Sequence, residues 1–167
     1  MFSFFAGGGA VKFVKDYAAA GLTKTVPLMG SGFLTDGTLE AQGASAQGLL
    51  TALHYADNLE TPRNAQFRKS YALTYKANAD VYAVQGYDAA QILNAGLVAA
   101  KGDLAKRDAI TAAMHKVTVD SPRGKFTISP AGNPVQDMYL REAKGNYNEL
   151  KGVAVKALAD PARGCKM

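Results

Sequence analysis

The sequence predicts an α/β fold, and three observations predict it. A short aromatic run, Phe2 to Ala6, has the unalternating form of a strand covered on both faces of a parallel sheet. It runs into Gly7-Gly8-Gly9 and an amphipathic stripe, and Thr25 to Met29 reads as the next strand, so the chain opens as strand, glycine turn, helix, strand. Composition agrees: of 167 residues, 48% are hydrophobic, 20% are charged and 30 are alanine, which fits a helix-rich globular chain and excludes a disordered or collagen-like one. This length makes one domain of ordinary size, or pieces of two.

The first helix is expected from Ala10 onward, because Phe13, Val14, Tyr17, Ala18 and Gly21 keep the spacing of one helical face, with Gly21 as its stop. A short helix is expected around Leu39 to Gln42 and a strand over Gly48 to His54. Thr61-Pro62 opens the next helix, Thr61 capping it and Pro62 standing where a missing N–H costs nothing, with Phe67, Tyr71 and Tyr75 on its inner face. Tyr82 to Ala100 is a further helix with Ala89, Leu93, Gly96 and Ala100 inward. Asp103 is read as the cap of a third, whose stripe is Ile110, Ala113, Met114 and Val117. Ser121-Pro122-Arg123-Gly124 is a turn and Lys125 to Ser129 a strand. A loop over Pro130 to Pro134 leads to two closing strands, Met138 to Ala143 and Leu150 to Leu158, joined through Gly145-Asn146. The ends look like partners and the helical middle like an excursion, which is awkward for one compact domain.

Several function classes fall away. The net charge is +5, but Lys and Arg are scattered singly and offer no stripe for phosphates, so nucleic-acid binding is not expected. Charged residues recur too often for the roughly 18 to 20 apolar residues that cross a bilayer. Met1-Phe2-Ser3-Phe4-Phe5 lacks the basic start of a signal peptide and breaks at the glycines. The single cysteine, Cys165, permits no internal disulfide; it is a free thiol or the partner of a cysteine outside this sequence. His54 and His115 stand isolated and no carboxylates pair at helical spacing, so neither a metal site nor an acid/base pair can be assembled.

Four places could still meet a ligand. Gly7-Gly8-Gly9 is a plain turn, a loop bordering a cleft, or a nucleotide loop. It lacks the G-x-G-x-x-G and Walker spacings, so the last is a remote alternative. Ser31 lies between two glycines but without the final glycine of a nucleophile elbow. Phe33, in the same loop, is a cleft wall or a loop anchor. Val84 to Ala90 gathers Gln85, Tyr87 and Asp88 at a helix start, where they read polar groups on a solute or serve the helix dipole and the core.

Taken together, Phe4-Phe5-Ala6-Gly7-Gly8-Gly9-Ala10, Gly30-Ser31-Gly32-Phe33-Leu34, Val84-Gln85-Gly86-Tyr87-Asp88-Ala89-Ala90, Ser121-Pro122-Arg123-Gly124 and Asn133-Pro134-Val135-Gln136 carry a resemblance. The chain resembles the type I periplasmic solute-binding proteins of ABC transporters, in the Leu/Ile/Val-binding branch, and is more similar to receptors for aromatic carboxylates than to those for amino acids. The resemblance implies an incomplete periplasmic-binding-protein type I fold: two Rossmann-like lobes joined by a hinge, with this chain as a C-terminal fragment. Residues 1–48 would begin lobe 2, residues 49–137 would belong to lobe 1, and residues 138–167 would close lobe 2. Two hinge crossings would lie near Leu49 to His54 and Gln136 to Tyr139.

By the same resemblance the function is binding without turnover. A small organic solute, an aromatic carboxylate, is held between lobes in the periplasm and delivered to an inner-membrane ABC permease, with no cofactor and no metal. Gly8, Gly9, Ser31, Phe33, Gln85 and Tyr87 are the matching cleft positions. Amino-acid receptors of this branch place an acidic residue just after the Met-Gly of the second-lobe strand; Ser31, Gly32 and Phe33 stand there instead, and an α-amino group would lose its charge-assisted partner. A receptor for amino acids and a sensor's ligand-binding domain are the alternatives. A chain lacking most of one lobe's sheet is also expected to expose strand edges and helix faces.

Overall fold

The computed structural model describes residues 1–164, so Cys165 lies outside the described residues. The described chain divides into two compact units, one of Met1–Leu59 with Met138–Val155 and one of Glu60–Asp137 with residues 156–164.

In the first unit β1 (Phe2–Ser3), β2 (Met29–Ser31) and β3 (Leu50–Leu53) run parallel, and β3 pairs antiparallel with β6 (Pro134–Lys144). The register sets Ser3 beside Gly30, Ser31 beside Ala52 and Thr51 beside Arg141. β7 (Tyr147–Leu158) returns along β6 after a turn at Gly145, whose φ of +60° suits glycine. α1 (Gly7–Ala19) lays Ala10, Val14 and Tyr17 onto Leu28, Leu34, Leu39, Ala46, Leu49 and Ala143, and each large apolar side chain so buried contributes roughly 1.5–3 kcal/mol. The Tyr17 hydroxyl donates to the Val26 carbonyl, which satisfies the one polar atom this face brings inward.

Two expected strands move. β1 is only two residues long and stands at the edge of the sheet, paired with β2, and it is not covered on both faces, since Phe2 is 73% exposed. The strand expected over Thr25 to Met29 starts at Met29 instead, because Leu22–Lys24 winds into a 3-10 turn and Pro27 has no N–H to donate to a ladder. The three glycines also do not precede the helix; they are its first turn, with Gly7 at φ +54°. α2 (Leu39–Gln42) forms where expected.

The second unit is built on α3 (Pro62–Tyr75), α4 (Val81–Ala99) and α5 (Arg107–Lys116), with β4 (Thr118–Val119) and β5 (Phe126–Ile128) pairing antiparallel and β5 pairing with Pro134 and Val135. Thr61 caps α3 as expected: its Oγ1 accepts from Asn64 N at 3.0 Å and donates to the Pro122 carbonyl at 3.1 Å. Asp80 caps α4 by accepting from Ala83 N. Asp103 does not cap α5. It accepts from Ala105 N in a tight turn, and α5 starts four residues later at Arg107.

The inward faces of α3 and α4 also differ from expectation. Phe67 is buried but Tyr75 is 65% exposed, because steps of four residues advance about 40° each around a helix and carry the stripe away from its neighbour. On α4 the buried residues are Val81, Val84, Asp88 and Gly96, while Leu93 is 51% exposed. An ion pair from Asp88 and the close approach of α5 at Gly96 turn that face away from Ala89 and Leu93.

Candidate functional site

In the first unit the carboxyl end of the short parallel strands carries four of the six candidate residues. β1 leads through Phe4 and Phe5 into α1, so Gly8 and Gly9 lie in the first turn of that helix. A Cβ built on Gly8 would meet no atom within 4 Å, so the backbone there is open to close approach. Ala6 at the N-cap makes no side-chain hydrogen bond, and the first turn contains no acidic residue.

β2 ends at Ser31 and passes directly into a 3-10 turn, Gly32–Leu34, at whose apex stands Phe33. Its half-buried ring meets Phe4 edge to face, centroids 6.2 Å apart and planes at 72°. Phe4 is itself exposed and is a residue the sequence reading missed; its place in an aromatic run just before the glycine turn was the available signal. The Ser31 Oγ is buried with no hydrogen-bond partner among the described residues, as is the Ser3 Oγ.

Behind the Phe33 turn lies a buried polar network. Arg141 is fully buried; its Nη2 donates to Asp36 Oδ2 at 2.6 Å and Thr51 Oγ1 at 3.0 Å, and its Nη1 to Asp36 Oδ1 at 3.2 Å and the Tyr55 carbonyl at 3.0 Å. Thr35 Oγ1 donates to Asn148 Oδ1 at 2.6 Å, and Asn148 Nδ2 approaches Asp36 Oδ1 at 3.4 Å. A Cβ on Gly32 would fall 2.6 Å from Arg141 Nη2, so glycine is what lets the guanidinium lie against this turn. The carboxylate of Asp36 is thus committed to Arg141 and is not available to a ligand's ammonium group.

In the second unit Gln85 and Tyr87 occupy the first turns of α4. Gln85 is exposed, and Tyr87 packs edge to face on Phe67 with centroids 5.2 Å apart. Tyr87 also lines a groove of about 520 Å3 between α3 and the start of α4, with Arg63, Gln66, Phe67, Tyr71 and Tyr75. Arg63 is ion-paired with Asp120, and that carboxylate, with Tyr87 beside it, holds the guanidinium above its ordinary pKa. Asp88 turns inward to Arg123, which also donates to Gln136 and lies 4.0 Å over the Phe126 ring.

The described residues contain no group of three or more His, Cys, Asp or Glu placed to hold a metal ion, and no helix among them is long and apolar enough to cross a membrane. His54 and His115 lie in different units, at the end of β3 and on α5.

Comparison with known proteins sets these features in a family. The chain is 51% identical, over 99% of its length and 46% of the other's, to a solute-binding protein of an ABC transporter from R. palustris solved in complex with benzoate, with a TM-score of 0.92. It is 30% identical, over 97% of its length and 46% of the other's, to an ABC-transporter solute-binding protein from Rhodopseudomonas palustris BisB5 in complex with 3,4-dihydroxybenzoic acid, with a TM-score of 0.84. Among curated proteins, Leu/Ile/Val-binding protein homolog 6 of Brucella abortus is 33% identical over 137 residues, 78% of this chain and 34% of that protein. The chain therefore spans about a third of that curated relative and under half of these solved chains. The fold is the α/β periplasmic-binding-protein type I fold, present in part. The family described as periplasmic binding protein matches residues 1–148, and the chain belongs to it.

Proposed function

We propose that this chain is part of the substrate-binding component of an ABC import system that takes up an aromatic carboxylate and delivers it to a membrane permease from the periplasm, without catalysing a reaction. The observation that carries the reading is the 51% identity, over nearly the whole chain, to the benzoate-bound protein. The local chemistry supports it: Phe4 and Phe33 present an aromatic pair beside the glycine turn of α1, and Asp36, the carboxylate closest in sequence after Ser31, is neutralised by Arg141. An amino-acid ligand would find no free carboxylate on that turn for its ammonium group.

Residues 1–48 and 138–167 are proposed as parts of lobe 2 and residues 49–137 as part of lobe 1. The support is that residues 1–59 and 138–155 share one compact unit while residues 60–137 form the bulk of another. The proposed solute contacts are Gly8, Gly9, Ser31 and Phe33 from the first unit and Gln85 and Tyr87 from the second. Binding would act by population shift, solute favouring the closed state because only there do both lobes add contacts.

The test is calorimetric titration of the full gene product with benzoate, 4-hydroxybenzoate and leucine. Benzoates are expected to bind and leucine is not, with Phe33→Ala and Gln85→Ala each weakening benzoate. Tighter binding of leucine, or unchanged benzoate affinity in both variants, overturns the reading.

A further inference from the structure

The Phe33 turn is held from behind by an ionic contact as well as by the packed side chain of Leu53. Thr35 N and Asp36 N both donate to the Gly32 carbonyl, at 3.0 and 2.9 Å, so Asp36 closes the turn that carries Phe33. The Asp36 carboxylate is gripped by both terminal nitrogens of Arg141, and Arg141 is fixed by Thr51 on β3 and by the Tyr55 carbonyl. Thr35 adds a second tie: its Oγ1 reaches both the Gly32 carbonyl and Asn148 of β7. Leu34, fully buried, plugs the turn into the core on its other side. Because Gly32 has no side chain, nothing intervenes between the guanidinium and the backbone that aims Phe33.

We propose that Asp36 and Arg141 are positioning residues for Phe33: by fixing the Gly32–Leu34 turn they set the attitude of the aromatic ring and so the preference for a flat aromatic solute over a puckered aliphatic one. The inference rests on the reading that Phe33 touches the solute. Breaking a two-pronged, charge-assisted contact lets a short turn relax, and an aromatic contact depends on ring geometry more than a general apolar contact does. A merely structural network would lower stability and leave the preference between solutes of equal charge and similar size where it was.

The experiment measures Kd for benzoate and for cyclohexanecarboxylate in the full gene product, as wild type, Asp36→Asn, Thr35→Val, Phe33→Ala, and Phe33→Ala combined with each of the other two. The expected result is a fall of roughly three- to tenfold in the benzoate preference for Asp36→Asn and a smaller fall for Thr35→Val, the size of one lost aromatic contact. Neither substitution should change the preference further once Phe33 is alanine, since coupled residues are non-additive. If Asp36→Asn does not fold, Thr35→Val decides. An unchanged preference in the folded variants, or effects that add to that of Phe33→Ala, overturns the inference and leaves the solute reading standing. A Phe33→Ala variant with wild-type preference sinks the Phe33 contact itself and the inference with it.

Discussion

Arg123 donates from Nε to Asp88 Oδ2 at 2.7 Å, and both side chains are buried. This contact joins the turn after β4 to the first turns of α4, where Gln85 and Tyr87 stand. Two sequence stretches that look independent, Val84 to Ala90 and Ser121 to Gly124, are therefore two halves of one ion pair. Arg123→Ala is expected to destabilise the protein by about 3–5 kcal/mol, the usual effect of stranding one member of a buried pair. Urea unfolding followed by circular dichroism measures it, and a loss below about 1 kcal/mol would show that water reaches Asp88.

The same carboxylate gives a pH dependence. Burial pushes the Asp88 pKa above its ordinary value of 3.8, outweighing the opposing pull of Ser121 and Arg123. A carboxyl whose folded value is raised lends stability that is complete below the unfolded value and disappears as pH climbs through the folded one. Wild type should therefore lose stability relative to Asp88→Asn on going from pH 3.8 upward, and level off once Asp88 is ionised. Thermal unfolding of both proteins across that window checks the sign; an opposite slope would mean that Arg123 dominates.

Glycines give a paired prediction within the first unit. Gly32→Ala drives a methyl to 2.6 Å from Arg141 Nη2 and 2.7 Å from Leu53 Cβ, and should cost about 1–3 kcal/mol, as overpacking does. Gly8→Ala meets no atom within 4 Å beyond its own helix backbone and chain neighbours, and Gly8 lies in α1 without a positive φ, so it should be neutral or stabilising by up to about 1 kcal/mol. Comparing the two melting temperatures tests the packing. If Gly8→Ala also weakens benzoate while stability holds, the solute itself lies against that backbone.

In the second unit, α4 and α5 pack tightly at Gly96, where a Cβ would fall 2.8 Å from Ile110 Cγ2 and 3.1 Å from the Ile110 carbonyl. Gly96→Ala should cost about 1–3 kcal/mol despite alanine's better helix propensity, because backbone cannot give way as a side chain can. Denaturant midpoints for wild type and variant measure it, and a stabilised variant would mean that the two helices part easily.

Local signals made much of this legible. Thr61-Pro62 gave a helix start because a hydroxyl cap and a ring without N–H act within one turn, and Gly145 marked its hairpin for a similar reason. What the sequence did not disclose were long-range choices. The inward face of α4 is set by Asp88 meeting Arg123, 35 residues away, and hydrophobic spacing alone pointed to Ala89 and Leu93 instead. Asp36 and Arg141, 105 residues apart, form the support of the Phe33 turn, and neither carries a local pattern that announces a partner. Phe33 itself was visible, since an aromatic residue in a glycine-flanked loop has few reasons to be there. Its companion Phe4 was hidden inside a run that read as buried strand.

The bare glycine start of α1 has a consequence for salt. With no side-chain cap and no acidic group in its first turn, that end of the helix keeps its positive partial charge unopposed. A carboxylate arriving nearby is favoured by about 0.3–1 kcal/mol, whatever ring it is attached to, and added electrolyte erodes that gain. Discrimination between an acid and its amide should therefore narrow as ionic strength rises, while discrimination between one ring and another, which depends on shape, should not.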